Sequence, residues 1–150
     1  MSAICVDSVF LLGLYDDRDQ YHARANELFV AYFSNTMNRL LVPWPVLYET
    51  VSTRLVRRQK NLALFERDWR MLTGRHQLIL LDDAPYRQAA IDECLHEVRG
   101  HRRGLRPLSL TDRVIRCILG ETRIKVDVLI TFNVADFADV CSTLRLRLVS

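Results

Sequence analysis

The chain has 150 residues, of which 49% are hydrophobic, so it is long enough for one domain with a sizeable core and too apolar to be disordered. No apolar run is long enough to span a bilayer, and the opening residues MSAICVDS lack the basic stretch that is typical of a signal peptide. The net charge of +3, from 21 basic and 18 acidic residues, is too small to indicate a nucleic-acid partner by itself.

The predicted elements alternate between strands and helices. A short apolar strand over 3–6 precedes a helix from Ser8, and a second helix covers about 20–34. The strand LLVPW ends at prolines, and Pro45 suits the first turn of a helix that runs to about Arg58.

The second half of the chain continues this alternation. In chain order it contains a helix over 61–73, the strand QLILLD over 77–82, helices over 84–100 and 109–121 that flank a loop at 100–107, the strand VDVLITF over 126–132, and the edge strand LRLRLVS. The continuous apolar run of QLILLD is typical of a strand buried on both faces. This alternation predicts a three-layer α/β domain over 1–150, with a central, mostly parallel sheet flanked by helices.

Acidic or amide side chains stand where these strands end or where helices begin. They are Asp7, Glu49, Asp112 and the pair Asn133 and Asp136. Ligand sites in open α/β folds form outside the carboxyl ends of the strands, so acids from distant parts of the chain can meet in one cleft. Three or four oxygen ligands that meet there would make a site for Mg²⁺ or Mn²⁺.

The first two acids also have local interpretations. Asp7 is a favoured residue for capping the helix that follows it, and Ser8 could cap instead or orient a carboxylate by hydrogen bonding. Glu49 lies near the start of a helix among residues of mostly buried types. It stands either at the helix edge in solvent or facing a polar cleft.

The later acids have local interpretations as well. Ser109 and Asp112 have the spacing of a capping box, which is compatible with a metal role because a helix N-terminus favours an ionised carboxylate. Asn133 is a good cap or turn residue, and Asp136 would lie in the first helical turn behind it. Either could reach a metal, and Asp136 is favoured because it brings charge.

Basic residues cluster in TRLVRRQK and RGHRRGLR. These segments are either solvated or make phosphate contacts beside an acidic site. The predicted RNA contacts are Arg54, Arg57, Arg58, Arg102 and Arg103. The turn DDRD, with Asp16 and Asp17, is predicted to be solvated, whereas Asp82 and Asp83 at the end of QLILL could join a cleft.

The four cysteines show no CxxC motif and no tight spacing. They are predicted to be reduced core residues of an intracellular, cytoplasmic protein rather than a disulfide framework: Cys5, Cys94, Cys117 and Cys141. The chain also contains no HExxH, GxxxxGK[ST], GxGxxG or GxSxG motif, so zinc, nucleotide and serine-hydrolase sites lack support.

The blocks that carry the acids resemble the PIN-domain family, in particular the VapC-like toxin ribonucleases. VDSVFLLGLYDDRDQYHARANELF resembles the opening of the family, and VPWPVLYETVSTRL, LSLTDRVI and LITFNVADF resemble its second, third and fourth blocks. The order and spacing of the four blocks, over nearly the whole chain, carry the resemblance.

The resemblance implies a metal-dependent endoribonuclease that uses Mg²⁺ or Mn²⁺ and is commonly a homodimer. It also implies the toxin of a type II toxin–antitoxin pair, neutralised by a small antitoxin encoded beside it. Asp7, Glu49 and Asp112 match the three core acidic positions. Asn133 stands where many members have Asp, so the fourth ligand is either Asn133 or Asp136. Single-stranded or loop RNA is the expected substrate, because duplex RNA hides its base edges.

Two other functions compete with this interpretation. The departure at Asn133 suggests a catalytically weak PIN-like module that binds RNA or a protein. The run LILLDD resembles the phosphorylated strand end of a receiver-type signalling domain. A receiver needs paired acids after the first strand and a Lys after the last, but Asp7 is followed by Ser8, and VLITF by Asn133.

Overall fold

The computed structural model describes residues 1–99 and 107–150. The predicted loop over 100–107 therefore lies outside the described residues, except for Pro107. The predicted RNA contacts Arg102 and Arg103 belong to this loop and also lie outside the described residues. The described strands are β1 (Ala3–Val6), β2 (Arg39–Pro43), β3 (Leu78–Leu81), β4 (Val128–Ile130) and β5 (Arg147–Val149). The helices are α1 (Ser8–Tyr15), α2 (His22–Phe33), α3 (Trp44–Thr50), α4 (Thr53–Val56), α5 (Gln59–Gly74), a 3-10 turn (Ala84–Tyr86), α6 (Arg87–Arg99), α7 (Leu110–Leu119) and α8 (Val134–Leu144).

The five described strands form one sheet in the order β3-β2-β1-β4-β5. Every pairing in it is parallel, and Ile4 of β1 stands between Leu40 of β2 and Val128 of β4. The helices pack around this sheet, so the predicted α/β architecture is confirmed. The expected mostly parallel sheet is fully parallel over the described residues.

The core follows from the apolar strands at the centre of the sheet. Ile4, Val6, Leu129 and Ile130 are fully buried, as expected of parallel strands that helices cover on both faces. Phe137 of α8 joins the same cluster. The centre of the sheet is therefore closed to solvent, and it positions the residues that follow β1 and β4.

The helix predicted from Pro45 to Arg58 is divided into α3 and α4. The hydroxyl of Thr50 donates to the carbonyl of Val46 at 2.8 Å, a side-chain bond of the kind that bends helices. Ser52 then adopts an extended backbone at the N-cap of α4. The prediction of one continuous helix is wrong, because the Thr50 hydroxyl competes for a backbone carbonyl at the end of α3.

Helix α8 occupies the segment between the fourth and fifth strands, for which the alternating pattern had predicted no separate element. It ends at Arg145, whose φ of 56° lies in the left-handed region that non-glycine residues rarely adopt. The N–H groups of Arg145 and Leu146 donate to carbonyls of the last helical turn, which turns the chain towards β5.

All four cysteines are free thiols. Cys5 and Cys141 are buried, whereas Cys94 and Cys117 are only half-buried, so the predicted core placement is right for two of the four. In the described part of the chain, no helix has both the length and the apolar character needed to cross a lipid bilayer.

Candidate active site

The carboxyl ends of β1 and β4 lie side by side at the centre of the sheet. From β1 the chain proceeds to β2 and β3 on one side, and the later strands β4 and β5 lie on the other. The crevice at such a reversal of strand order is where open α/β domains bind ligands. Asp7 follows β1 and Thr131 follows β4, and the Thr131 hydroxyl donates a hydrogen bond to the Asp7 carboxylate across this boundary.

Asp7 combines a structural role with a chemical one. Its carboxylate accepts the N–H of Phe10 at 2.9 Å, so the predicted cap of α1 is confirmed. Only 1% of the residue is exposed, and burial raises the pKa of Asp7 from 3.8 to about 6. The hydrogen bonds from Thr131 and Phe10 oppose this rise, and the negative charge of Asp112 adds to it.

Glu49 is held from both sides by hydroxyl groups. Ser8 donates to one carboxylate oxygen of Glu49, and Thr111 donates to the other at 2.7 Å. Ser8 follows Asp7 and Thr111 precedes Asp112, so Glu49 links the segments that carry the other two acids. The residue is exposed, and its carboxylate lies between α1 and α7. Glu49 therefore stands at an exposed helix edge, where its carboxylate contacts polar groups of two other helices.

Asp112 lies in the first turn of α7, where the Ser109 side chain accepts the Asp112 N–H at 3.1 Å. The predicted capping interaction is therefore confirmed. Partial burial raises the pKa of Asp112, and the charges of Asp136 and Glu49 raise it further, against hydrogen bonds from Ser109. Asp112 is the acid whose charge interacts with each of the other three.

The fourth block places its two candidates differently. Asn133 occupies the N-cap position of α8, but its side chain makes no capping hydrogen bond, so that interpretation of the side chain is wrong. Its backbone N–H instead donates to the hydroxyl of Thr131 at 2.9 Å. Asp136 is only 6% exposed, and its charge acts on Asp112.

The donor chemistry of the site suits a hard divalent cation. Among the described side chains, which exclude those of residues 97–106, no three from Asp, Glu, His or Cys converge tightly enough to ligate one ion. Mg²⁺ does not require this, because it keeps several waters and takes only one or two protein carboxylates together with substrate oxygens. Asp7 and Asp112 are desolvated and repel one another, which raises the pKa of both carboxyl groups, and a nearby cation would oppose this rise.

The hydroxyl groups that orient the acids were only partly foreseen. The sequence suggested that Ser8 could orient a carboxylate, but it gave no reason to select Thr111 or Thr131. Their signal is weak: each lies one or two residues from an acidic or amide candidate, and Thr is common in strands and at helix starts.

Two of the predicted RNA contacts are already paired with acids. Arg58 lies 2.7 Å from the carboxylate of Asp16, and Arg54 pairs with the other oxygen of the same group. Asp16 is only 4% exposed, so the solvated turn predicted there is wrong for this residue. Arg57 is exposed and makes no ion pair within the described residues. Contact between these arginines and RNA stays a prediction.

This basic cluster lies away from the acids. Asp7 and Asp16 stand at opposite ends of α1, and a helical rise of about 1.5 Å per residue separates them by roughly 13 Å. The arginines therefore flank the site and do not line it.

The acids after β3 do not support a receiver-type site. Asp82 follows an edge strand that is two strands from β1, a separation of roughly 10 Å. The Asp82 carboxylate accepts the N–H of Ala84, and Asp83 forms two hydrogen bonds with Arg87. Neither acid is paired with Asp7 across neighbouring strands.

The fold is shared with VapC toxins. The crystal structure of VapC20 from Mycobacterium tuberculosis, a toxin that cleaves the sarcin-ricin loop, is similar with a TM-score of 0.65 and 19% identity, over 91% of this chain and 94% of that one. VapBC2 from Rickettsia felis, bound to a DNA fragment from its promoter, is similar with a TM-score of 0.56 and 16% identity, over 98% and 97% of the two chains. No protein-family model matches the sequence, and no curated protein matches it significantly. The resemblance to the PIN-domain, VapC-like proteins is thus confirmed in the fold.

Proposed function

We propose that the chain is a metal-dependent endoribonuclease of the VapC type. The observation that carries the proposal is the pair of hydrogen bonds on Glu49, from Ser8 beside Asp7 and from Thr111 beside Asp112. These bonds bring three acids from three separate segments to the ligand-binding end of a parallel sheet. The similar fold of VapC20, a toxin that cleaves an RNA loop, favours RNA as the substrate.

Hydrolysis of a phosphodiester needs an activated water and stabilisation of charge on the leaving oxygen, and bound Mg²⁺ or Mn²⁺ supplies both. Asp7 and Asp112 would hold the metal directly, and Glu49 and Asp136 would accept hydrogen bonds from its water ligands. The Thr131 hydroxyl donates to one oxygen of Asp7, and the N–H of Phe10 donates to the other. These bonds fix the orientation of the carboxylate and favour its ionised form.

The substrate must overcome repulsion from the acids. Single-stranded or loop RNA fits this site, since an unpaired strand is flexible enough to reach a crevice at the end of the sheet. Exposed cations such as Arg57 would attract the backbone electrostatically and contribute affinity rather than chemistry. The interactions with Asp16 reduce what Arg54 and Arg58 can contribute.

The proposal includes a toxin–antitoxin role in the cytoplasm. The two solved structures compared above are Vap proteins, and one of them is a VapBC complex on promoter DNA. A small antitoxin encoded beside the gene would neutralise the chain, and a homodimer would be the active form. Co-purification with the product of the neighbouring reading frame would test the antitoxin.

The nuclease itself is tested by removing charge from the site. Asp7→Asn and Asp112→Asn should each abolish cleavage of single-stranded RNA while the circular dichroism spectrum stays that of the wild type. Glu66→Gln, which neutralises an exposed acid paired with Arg70 on α5, is the matched control and should cleave normally. Undiminished cleavage by the Asp7, Asp112 double variant would end the proposal. RNA binding without any cleavage by the wild type would instead support the catalytically weak module.

A further inference from the structure

An open cavity of about 350 Å³ lies beside the acids, between α3, α6 and α7. Thr111 lines this cavity and also donates its hydrogen bond to Glu49. Pro45 lines it as well and stands four residues before Glu49, so the two lie on the same face of α3. The cavity therefore begins where the acidic site ends.

Two aromatic side chains are exposed on the same helix. The rings of Trp44 and Tyr48 pack against each other with centroids 5.9 Å apart. Trp44 is 38% exposed and Tyr48 is 72% exposed. Aromatic side chains contribute most to folding when they are buried, so an exposed pair beside a polar site indicates a binding role.

A fixed cation stands at the same cavity. Arg87 lines it and donates two hydrogen bonds, of 2.8 and 2.9 Å, to the carboxylate of Asp83, which is itself 6% exposed. This paired geometry holds the guanidinium plane in one orientation and leaves Nη1 outside the pair. Tyr48 is near enough to Arg87 that an ionised Tyr48 would raise the pKa of the guanidinium.

We propose that the surface formed by Trp44, Tyr48 and Arg87 beside this cavity binds one unpaired base of the RNA, next to the phosphate that is cleaved at the acidic site. The base stacks on the Trp44–Tyr48 pair, and Arg87 donates to an acceptor on its edge or on the adjoining phosphate. This inference rests on the proposed nuclease function and gives it a substrate-positioning element.

The chemistry of the surface favours a nucleotide over other occupants. Every base has a π-face, so aromatic rings bind single-stranded nucleic acid with little regard to sequence. The guanidinium supplies donors in a fixed fork, which suits base edges and phosphates. A base within a duplex is stacked on its neighbours and would not be free to stack on these rings, so the surface selects unpaired RNA.

Binding can be measured separately from cleavage in an Asp112→Asn background, which we expect not to cleave. The probes are decamers of uridine and of adenosine, with the dissociation constant measured by fluorescence anisotropy. Tyr48→Ala should weaken binding by about 5- to 150-fold, the range that stacking of one base gives on alanine substitution. Tyr48→Phe keeps the ring and should retain the parent affinity. Equal affinity of the alanine variant and its parent would overturn the proposal.

A spectroscopic signal tests contact at Trp44 directly. The chain has two tryptophans, and Trp69 lies on α5, stacked with Phe65. In a Trp69→Phe, Asp112→Asn protein, Trp44 is the one remaining indole, and the decamers should quench its fluorescence at the concentrations that saturate anisotropy. Saturated binding without quenching would overturn stacking at this site.

The competing occupant of this surface is a second copy of the chain. Sedimentation of Tyr48→Ala should show the same oligomeric state as its parent. Loss of RNA binding together with loss of a dimer would assign the surface to a subunit interface and overturn the proposal.

RNA bound through Tyr48 by a wild type that does not cleave would refute the nuclease and retain the base site. Cleavage with no dependence of binding on Tyr48 would refute the base site alone.

Discussion

Replacing Asp7 with Asn should stabilise the metal-free protein at neutral pH, although the same change should abolish cleavage. Asp7 is 1% exposed, and burial raises its pKa from 3.8 to about 6. Asparagine is as good an N-cap as aspartate, because its amide oxygen can accept the N–H of Phe10. Its NH2 group then faces the hydroxyl of Thr131, which can rotate to accept instead of donate. It carries no charge, so the penalty for burying an ionised carboxylate disappears.

The size and sign of this effect follow from the pKa of Asp7. Because the folded pKa lies above the unfolded value, the folded state binds the proton more tightly, and stability falls as the pH rises through the interval between the two values. A difference from 3.8 to about 6 corresponds to about 3 kcal/mol at about 1.4 kcal/mol per pKa unit. Asp7→Asn should therefore gain about 3 kcal/mol above roughly pH 7 and nothing below roughly pH 3.

Urea denaturation with a chelator present, repeated from acid to neutral pH, measures this gain. Asp139→Asn is a control of opposite sign, because hydrogen bonds from Arg116 lower the pKa of Asp139 to about 2. That carboxylate stabilises the fold above about pH 4, and its contribution is lost as the pH falls through about 2. Its side chain is 68% exposed, so the control should lose at most about 1 kcal/mol at neutral pH. An Asp7→Asn protein no more stable than the wild type at pH 7 would refute the reasoning.

Three further predictions concern the neighbours of Asp7 and the RNA contacts. Thr131→Val removes a hydrogen bond that lowers the pKa of Asp7, so the acidic limb of the rate–pH profile should move to higher pH. An acidic limb at the same pH in the variant and the wild type would show that the pKa of Asp7 does not control the rate. If Asp136 is the fourth ligand, Asp136→Asn should raise the Mg²⁺ concentration for half-maximal cleavage. If Asn133 occupies that position, Asn133→Asp should lower this concentration. Titrations with no shift in either variant would leave a site of three acids. Arg57→Gln should reduce the slope of log affinity against log salt by about 0.7 for single strands, and an unchanged slope would place Arg57 outside the RNA path.

The strands of this fold could be predicted closely from the sequence because their apolar runs are short, continuous and bounded by polar residues or prolines. Each of the five lies within three residues of its predicted ends: Ala3–Val6 has the predicted bounds, and Leu78–Leu81 lies inside 77–82. The strand order could not be predicted in the same way, since an apolar run carries no information about its neighbours. The helix break after Thr50 was missed because one side-chain hydrogen bond decides it.

In the candidate site, too, some residues could be recognised from the sequence and others could not. The acids were recognisable because a charged residue at the end of a buried strand is uncommon and has a defined place in a parallel sheet. The hydroxyl groups of Thr111 and Thr131 were not, because their role depends on contacts with residues 62 and 124 positions away. The pairing of Arg58 with Asp16 spans 42 positions and likewise required the folded chain.

Metal dependence of cleavage tests the central claim most directly. Purified wild-type protein should cleave single-stranded RNA when Mg²⁺ or Mn²⁺ is present, lose the activity in excess chelator, and regain it when the metal is returned. Asp112→Asn should remain inactive under all of these conditions, because it removes the carboxylate whose charge interacts with Asp7, Glu49 and Asp136. Cleavage by the wild type that is indifferent to chelation, or equal cleavage by Asp112→Asn, would contradict a metal-dependent nuclease site built on these acids.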